Sequence, residues 1–250
     1  MKKLIALILA AILVCGMFAG CESERPGGNV TPLPTSGSSV NTPEPTQETN
    51  TPADATGSSV VGKDVSMGAM EGGVYTNEYV GYGCKLDESW TFATAEQLQE
   101  LPDNVNELLA DSELGSAMDA LPQFFDMQAE NVTDLVSINV VYQKLDLATR
   151  AAYAMLSESQ ILDQALTQKD AMISSYASAG IIASSIEKVT VTFLGQERSA
   201  LLTTATINDT PYFILQLFDY HLGQYSVITT LASYVENNTD SLLELFYPLD

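Results

Sequence analysis

Histidine, cysteine and basic residues are scarce in this chain, and each scarcity removes a class of chemistry. The 250 residues include one histidine, His221, which excludes any metal or catalytic site that needs two histidines. Cys15 and Cys21 lie in the N-terminal segment, so Cys84 has no second cysteine at zinc-ligand spacing. Calcium-loop, phosphate-loop and G-x-S-x-G motifs are also missing from the sequence. We therefore assign no catalytic residue, no cofactor and no metal ligand, and we expect a protein that is not an enzyme.

Basic side chains are outnumbered throughout the chain. The chain has ten Lys and Arg residues and 32 Asp and Glu residues, which gives a net charge of −22. Residues 74–250 alone carry 6 basic and 25 acidic residues, or 6 − 25 = −19. This balance argues against nucleic acid and against anionic membrane or wall polymers as direct ligands. Cations, basic peptides and neutral ligands remain open, as does a role of the acidic residues in solubility alone.

The N-terminal residues have the layout of an export signal. A basic start, "MKK", precedes the apolar run "LIALILAAILV", which is too short to span a bilayer as a mature helix. The following "FAGC" resembles a bacterial lipobox, which implies cleavage after residue 20 and a lipid on Cys21. An ordinary secretory signal with an incidental cysteine is the alternative. The lipobox implies a protein anchored by lipid to the extracytoplasmic face of a bacterial cell membrane, with residues 1–20 as its signal peptide.

Residues 21–73 differ in composition from the rest of the chain. Six of the ten prolines lie here, and no aromatic residue occurs between Cys21 and Tyr75. Such a segment cannot bury enough apolar surface to offset the entropy of ordering it. We predict a disordered linker over residues 21–73 and one globular domain over residues 74–250.

Strands and helices alternate in groups along the predicted domain. Residues 74–87 predict a hairpin with a tight turn at "GYG", and residues 124–146 predict a second strand pair around "NVTD". A helix follows Thr94, whose spacing to Gln97 is that of a capping box. A long helix beginning at Ser157 is predicted to end near Gly180.

Four consecutive antiparallel strands are predicted after the long helix, joined by the short links "QE", "DTP" and "LG". The segment "NNTDSLLELFYPL" then predicts a short helix capped by Asn238 or Thr239. This order predicts an α+β fold with a largely antiparallel sheet and helices on both faces.

The order of these elements, together with the opening pattern "YTNEYVGYGCKLDESWTF" and the later "FDMQAENVTDLVSINVVYQKL", resembles a known group of proteins. Over residues 74–247 the chain looks like lipoproteins of Gram-positive gut anaerobes, which are similar to the PsbP-like (DcrB-like) αβα-sandwich superfamily. The resemblance implies an αβα sandwich. It also implies binding or assembly rather than catalysis, without naming a ligand.

Acidic residues concentrate between residues 86 and 143, where twelve acids occur without a single basic residue. Five of them, Glu96, Glu100, Asp103, Glu107 and Asp111, would form one stripe on an unbroken helix. Such a stripe is typical of the solvated face of an amphipathic helix, and a site for a divalent cation or a basic partner is the alternative. A hydrolase of envelope or carbohydrate material, using a carboxylate pair from this stretch, is a second functional alternative.

The stretch "GYGCKLDESWTF", residues 81–92, raises the question of a reactive thiol beside an aromatic surface. Cys84 has no partner cysteine, so we expect a half-buried apolar role for it. The resemblance implies that Trp90 lies in the sheet–helix core. The tyrosines of the predicted strands, namely Tyr75, Tyr79, Tyr82, Tyr212, Tyr220 and Tyr225, are expected in the core or on the sheet, with a carbohydrate or peptide platform as the alternative. His221 lies two residues after Asp219, so a general base oriented by that carboxylate is the alternative to an exposed turn histidine, which we favour.

These observations favour a membrane-anchored, surface-exposed lipoprotein that binds or assembles with a partner. The expected partners are the membrane, through the lipid anchor, and a protein or another envelope component. Nucleic acid is not expected. The sequence does not indicate the identity of the ligand or the oligomeric state.

Overall fold

Strand pairing begins earlier in the chain than residue 74, the predicted start of the domain. A computed structural model of the protein describes residues 66–101 and 123–249, without the side chains of residues 221 and 222. Within these ranges β1 (Ala69–Glu71) pairs with β2 (Val74–Asn77), so the end of the predicted linker belongs to the folded domain. The predicted signal peptide, Cys21 and most of the predicted linker lie outside the described residues.

Strands dominate the described chain. The remaining ones are β3 (Tyr82–Lys85), β4 (Thr91–Phe92), β5 (Gln123–Asn131), β6 (Val136–Lys144), β7 (Ile182–Phe193), β8 (Gln196–Ile207), β9 (Thr210–Leu222), β10 (Tyr225–Tyr234) and β11 (Phe246–Pro248). The helices are α1 (residues 95–101), α2 (Leu147–Tyr153), α3 (Glu158–Leu166), α4 (Lys169–Ser178) and α5 (Thr239–Leu243).

The strands form two sheets, and all strand pairs within the described ranges are antiparallel. The larger sheet has seven strands in the order β4-β5-β6-β10-β9-β8-β7, and the smaller has four in the order β1-β2-β3-β11. Strands β7 to β10 are neighbours both in the chain and in the sheet, as predicted. The α+β class with largely antiparallel sheets is confirmed.

The hairpin turns fall a few residues away from their predicted places. The β7–β8 turn is Leu194–Gly195 rather than "QE", and the β8–β9 turn is Asn208–Asp209 rather than "DTP". All four residues have positive φ, between 50° and 76°. Paired positive φ values are the geometry of two-residue turns that match the twist of antiparallel strands. β7 therefore ends, and β8 begins, two residues earlier than the sequence predicted.

The first hairpin also turns earlier than expected. Residues 78–81 form the turn, and Gly81 has a φ of 81°. Gly83, predicted as part of the turn, pairs with Thr76 inside β3. An added Cβ at Gly83 would lie 2.5 Å from the ring of Tyr247, so a larger residue here would have to displace that side chain of β11.

Both predicted capping boxes are present. The Thr94 amide donates to Gln97 Oε1 at 2.8 Å while Gln97 N donates to Thr94 Oγ1 at 3.3 Å, and Ser157 and Gln160 make the same reciprocal pair. The predicted long helix is broken into α3 and α4, because Thr167 closes the last turn of α3 and its hydroxyl donates to the Gln164 carbonyl. Gly180, with a φ of 77°, ends α4 as predicted.

The C-terminal residues differ from their predicted form. Asn238 makes no side-chain cap to α5, and instead the Asn237 side chain accepts hydrogen bonds from Thr239 N and Thr239 Oγ1. The helix ends at Leu243, and "FYP" continues as strand β11, whose Phe246 pairs with Cys84. In the described part of the chain, each helix is too short or too polar to cross a bilayer.

The seven-stranded sheet separates two cores. On one face the sheet packs against α1 to α4 and forms the helix–sheet core, which includes Leu98, Tyr153, Ile161 and Met172. On the other face it packs against the four-stranded sheet and α5 and forms the sheet–sheet core, which includes Tyr75, Tyr82, Cys84 and Leu242. Helices on both faces were predicted, but the second face is covered mainly by strands, because the first hairpin and β11 form a sheet of their own.

Candidate functional site

A groove lies between the C-terminal half of β7 and the chain from α5 to β11. Its volume is about 570 Å³, within the range of ordinary ligand sites. One wall is formed by residues 190–192, 194 and 195. The facing wall is formed by residues of the segment from α5 to β11, namely Asp240, Leu243, Glu244, Phe246, Tyr247 and Pro248. The groove thus combines apolar, aromatic and acidic groups with the backbone of a strand.

The alternation of β7 explains its contribution to the groove. Val189, Val191 and Phe193 turn toward the sheet–sheet core, while Thr190 and Thr192 are exposed. The turn at Leu194–Gly195 then directs the chain back into β8. The segment therefore presents threonine side chains and a strand edge to solvent while its valines hold it to the core.

A cluster of three aromatic rings lies under the groove. The rings of Phe193 and Phe246 meet edge to face at 5.3 Å between centroids, and Tyr82 lies at 5.6 Å and 5.5 Å from them. The Tyr82 hydroxyl is 2.6 Å from Thr229 Oγ1, which fixes the phenol in the sheet–sheet core. Because edge-to-face rings pack with defined geometry, they hold β7 and β11 at a fixed separation.

Two terminal strands border the same groove. β7 is the last strand of the seven-stranded sheet, and β11 is the last strand of the four-stranded sheet. The outer edge of each has no neighbouring strand among the described residues. Such an edge leaves a row of backbone N–H and C=O groups available to an added strand.

The charged groups of the groove are acidic. Asp240 lies on α5 and Glu244, four residues later, is the C-cap residue of that helix; both are exposed, and the lining contains no Lys, Arg or His. Residues four apart on a helix lie on one face, so both carboxylates stand on the same wall. A glycosidase places its two carboxyl groups on either side of the scissile bond instead. The pair is suited to attracting a cationic side chain.

The predicted acidic stretch does not form a single site in the described part of the chain. Glu96 and Glu100 lie on α1, whereas Asp103, Glu107 and Asp111 lie outside the described residues, so the predicted stripe is only partly placed. Asp126, another member, is 2 % exposed. Residues 66–101 and 123–249 contain no group of three or more His, Cys, Asp or Glu side chains arranged to hold a metal ion.

Asp126 connects the two sheets. It lies at a register shift between Phe125 and Met127 in β5, so its side chain leaves the regular alternation of the strand. Its carboxylate accepts hydrogen bonds from Tyr75 Oη at 2.5 Å, Asn77 Nδ2 at 2.6 Å and Gly68 N at 2.8 Å. Asn77 Nδ2 also lies 2.7 Å from Tyr142 Oη. This Asp126 network fastens β1 and β2 to the large sheet.

The packing around Asp126 explains both the raised pKa of Tyr75 and the glycine at position 68. Burial first, and then the nearby Tyr82 and Asp126, raise the pKa of Tyr75 far above its ordinary value, so the phenol remains a donor. A Cβ at Gly68 would lie 2.2 Å from Tyr75 Cε2, so only glycine lets the chain before β1 approach the carboxylate. The sequence contained no local signal for this arrangement, because its members come from three separate segments.

Arg198 occupies a gap between β8 and β9, which are paired only as far as Ala200 and Leu217. Its guanidinium donates to the Glu158 carboxylate at 3.0 Å, to Asp219 Oδ1 at 2.9 Å and to the Phe218 carbonyl at 3.2 Å. Burial alone would lower the pKa of Arg198, but the carboxylates of Asp219 and Glu158 raise it overall. Asp219, considered above as a partner of His221, is thus held by Arg198; the His221 side chain lies outside the described part of the protein.

A row of polar side chains crosses the helix side of the large sheet. Gln128 pairs across strands with Asn139, Asn139 with Thr230, and Thr230 with Gln216. All four are at least 96 % buried, and the side-chain amides of Gln128 and Asn139 have no hydrogen-bond partner among residues 66–101 and 123–249. Unpaired buried amides lower stability by about 1–3 kcal/mol each. The sequence predicted the strands but not this row.

The thiol and the aromatic residues of "GYGCKLDESWTF" belong to the sheet–sheet core. Cys84 is fully buried, beyond the half-buried role predicted, and burial raises the pKa of its thiol to about 12. Trp90 is partly buried against the sheet–sheet core, and not in a sheet–helix core as predicted. Five of the six tyrosines considered as a platform are buried, and Tyr225 is half-buried, so the core interpretation is confirmed for those five.

Cys84→Ala is expected to lower the free energy of unfolding by only about 1 kcal/mol, since it removes one buried atom of roughly methyl size. In native wild-type protein, a thiol reagent should label Cys84 far more slowly than in urea-unfolded protein, because the buried thiol is not ionised at neutral pH. Fast labelling of the native protein would contradict the buried position of Cys84. Urea titration and mass spectrometry measure the two effects.

Comparisons with known proteins do not assign the chain to a family. No protein-family model matches it, and no curated protein matches it. A proposal about its function therefore depends on the groove, the Asp126 network and the sequence patterns.

Proposed function

We propose that this protein is a binding or assembly lipoprotein on the extracytoplasmic face of a bacterial cell membrane, and that its partner binds in the groove beside β7. The groove carries the proposal, because it joins an open strand edge, an aromatic base and two carboxylates in one concave surface. The lipobox-like "FAGC" and the proline-rich linker support the anchored position.

The same observations support binding rather than hydrolysis at this site. Asp240 and Glu244 lie on one wall, and Asp126 of the acidic stretch is bonded inside the Asp126 network. A partner in the groove would contact Asp240 and Glu244 from one side only, whereas hydrolysis by a glycosidase requires the scissile bond to lie between two carboxyl groups. The finer fold proposal, a PsbP-like αβα sandwich, rests on the element order, on the helical layer over one face of the large sheet, and on α5, which packs on the other face beside the four-stranded sheet.

The anchor is tested by feeding cells that express the full-length protein an alkyne-labelled fatty acid. Wild-type protein should take up the label and remain in the membrane fraction, since two or more acyl chains retain a protein stably at a bilayer. Cys21→Ser should lose the label and leave the membrane fraction, whereas Cys15→Ser should behave as wild type. Label retained on the Cys21→Ser protein would contradict the assignment of Cys21.

The groove is tested with a photo-crosslinking amino acid in the full-length protein in its native envelope. Thr192 and Tyr247 lie on opposite walls, so a partner in the groove should form an adduct from both positions, and mass spectrometry should identify the same component in each. Ala177, exposed on α4 away from the groove, is the control position and should form none. Adducts that are equal at all three positions, or absent at both groove positions, would contradict the proposed site.

A further inference from the structure

The outer edge of β7 is open along the half that faces the groove. Proteins usually protect an edge strand by shortness, charge, proline or a bulge. β4 and β1 have two and three residues, and β11 contains Pro248. β7 has twelve residues, and its bulge, between Ala183 and Ser185, and its charged residues, Glu187 and Lys188, all lie before residue 189.

The second half of β7, residues 189–193, reads "VTVTF" and contains no charge, proline or bulge. The groove is lined by Thr190, Val191 and Thr192 of this unprotected part. Alternate residues of an antiparallel edge strand direct their N–H and C=O groups outward. A free backbone edge and a concave surface of suitable volume therefore coincide, although they are independent features of the molecule.

The charges of the groove select among possible occupants. A second copy of this chain would bring a domain whose sequence carries 6 − 25 = −19 against Asp240 and Glu244. The part of the predicted linker before the described residues, 21–65, has 2 basic and 6 acidic residues and six prolines, a composition that suits neither the carboxylates nor a strand ladder. A segment with Lys or Arg side chains complements the acidic wall, and its backbone can also form hydrogen bonds with the N–H and C=O groups at the edge of β7.

We propose that the groove binds an extended, basic segment of a partner protein, which adds as a strand to the outer edge of β7 at residues 189–193. Backbone hydrogen bonds to β7 supply the affinity, and alternate side chains supply the specificity. A lysine or arginine of the segment lies toward Asp240 and Glu244. This inference rests on the proposed function and names the class of partner for the same groove.

The probe is a synthetic peptide of about nine residues, the length of a long strand, that alternates lysine with valine or threonine. Titrated into isotope-labelled full-length protein in detergent, it should shift the amide resonances of residues 189–193 and bind saturably by calorimetry. The same peptide with N-methylated backbone amides should bind at least about tenfold more weakly, because it cannot complete the ladder. A peptide with glutamate in place of lysine should not bind.

Substitutions in the protein test how far peptide binding depends on the two carboxylates of the groove. Asp240→Asn combined with Glu244→Gln should weaken binding of the lysine peptide about 3–10-fold, the range expected for two exposed ion pairs. The matched control, Asp170→Asn combined with Glu236→Gln, removes two exposed acids outside the groove lining and should leave binding within about twofold.

Several results would overturn the proposal. They are no binding of the lysine peptide, equal binding of the N-methylated peptide, resonance shifts away from residues 189–193, or concentration-dependent dimerisation through β7. If the peptide fails while the Thr192 and Tyr247 crosslinks still identify one component, strand addition is wrong and the groove remains the site. If both fail, the proposed function fails as well.

Discussion

Asp126→Ala is expected to lower the free energy of unfolding by about 3–5 kcal/mol and the Tm by roughly 10 °C. The substitution removes the acceptor of three hydrogen bonds, so the donors of Tyr75, Asn77 and Gly68 lose their partner between the two sheets. Each buried donor left unpaired costs about 1–3 kcal/mol. The loss should appear first at β1 and β2, which the Asp126 network fastens to the large sheet.

Two variants make this test specific. Asp126→Asn keeps one oxygen acceptor but brings its amide against the Asn77 amide, so its loss should be intermediate. Glu88→Ala removes an exposed acid and should change the free energy of unfolding by no more than about 0.5 kcal/mol. Urea titration measures all three proteins. If Asp126→Ala is no less stable than Glu88→Ala, the Asp126 network does not hold the sheets together.

The second large effect is a loss of stability in alkaline solution. Burial raises the pKa of Cys84 and of Tyr234 to about 12, and it raises those of Tyr75, Tyr82, Tyr142 and Tyr212 above their ordinary value. In the unfolded chain the thiol ionises near pH 8.5 and the phenols near pH 10. Stability is therefore fully present below about pH 8.5 and falls as the pH rises toward the folded pKa values, since only the unfolded state releases these protons.

Each such group lowers the free energy of unfolding by about 1.4 kcal/mol per pH unit above its unfolded pKa. With five tyrosines and one thiol acting together, unfolding near pH 11 is expected to be close to complete, because total stabilities are about 5–15 kcal/mol. The measurements are the urea midpoint as a function of pH and tyrosinate absorbance, which should rise together. A midpoint that stays constant up to pH 11 would contradict the burial of these groups.

Tyr212→Phe provides the matched variant for this pH dependence. The Tyr212 hydroxyl is buried and has no hydrogen-bond partner in the described part of the chain, so its removal should leave stability at pH 7 unchanged or slightly higher. Above pH 10 the variant should lose stability less steeply than wild type by the contribution of one tyrosine. An unchanged slope would show that Tyr212 ionises equally in the folded and unfolded states.

Features determined by neighbouring residues were predictable from the sequence. The capping boxes at Thr94 and Ser157 and the end of α4 at Gly180 are set by contacts over three to five residues, and each is present. The four consecutive strands β7 to β10 were also predictable, because short links force adjacent antiparallel pairing. Their turns were misplaced by one or two residues. The positive φ of Leu194 is not evident from its residue type, whereas Asn208 and Asp209 are residue types enriched at positive φ and could have marked the β8–β9 turn.

Features that depend on distant segments were not predictable. Asp126 appeared as one acid among twelve, and only the bulge in β5 directs it toward Tyr75 and Asn77. Strand β11 was predicted as the end of a helix, because its pairing partner, β3, lies about 160 residues earlier. The groove is formed by β7 and the α5–β11 segment, which are about 50 residues apart and are brought together by the Phe193–Phe246 contact.

Hydrogen exchange of the amides of residues 189–193 in the full-length protein tests most directly whether the outer edge of β7 is open. We predict an alternating pattern in the free protein: amides bonded to β8 exchange slowly, and those directed outward exchange quickly. Saturating lysine peptide should then slow the outward amides alone. Slow exchange at every amide of the segment in the free protein would contradict an open edge, and unchanged exchange with bound peptide would contradict strand addition.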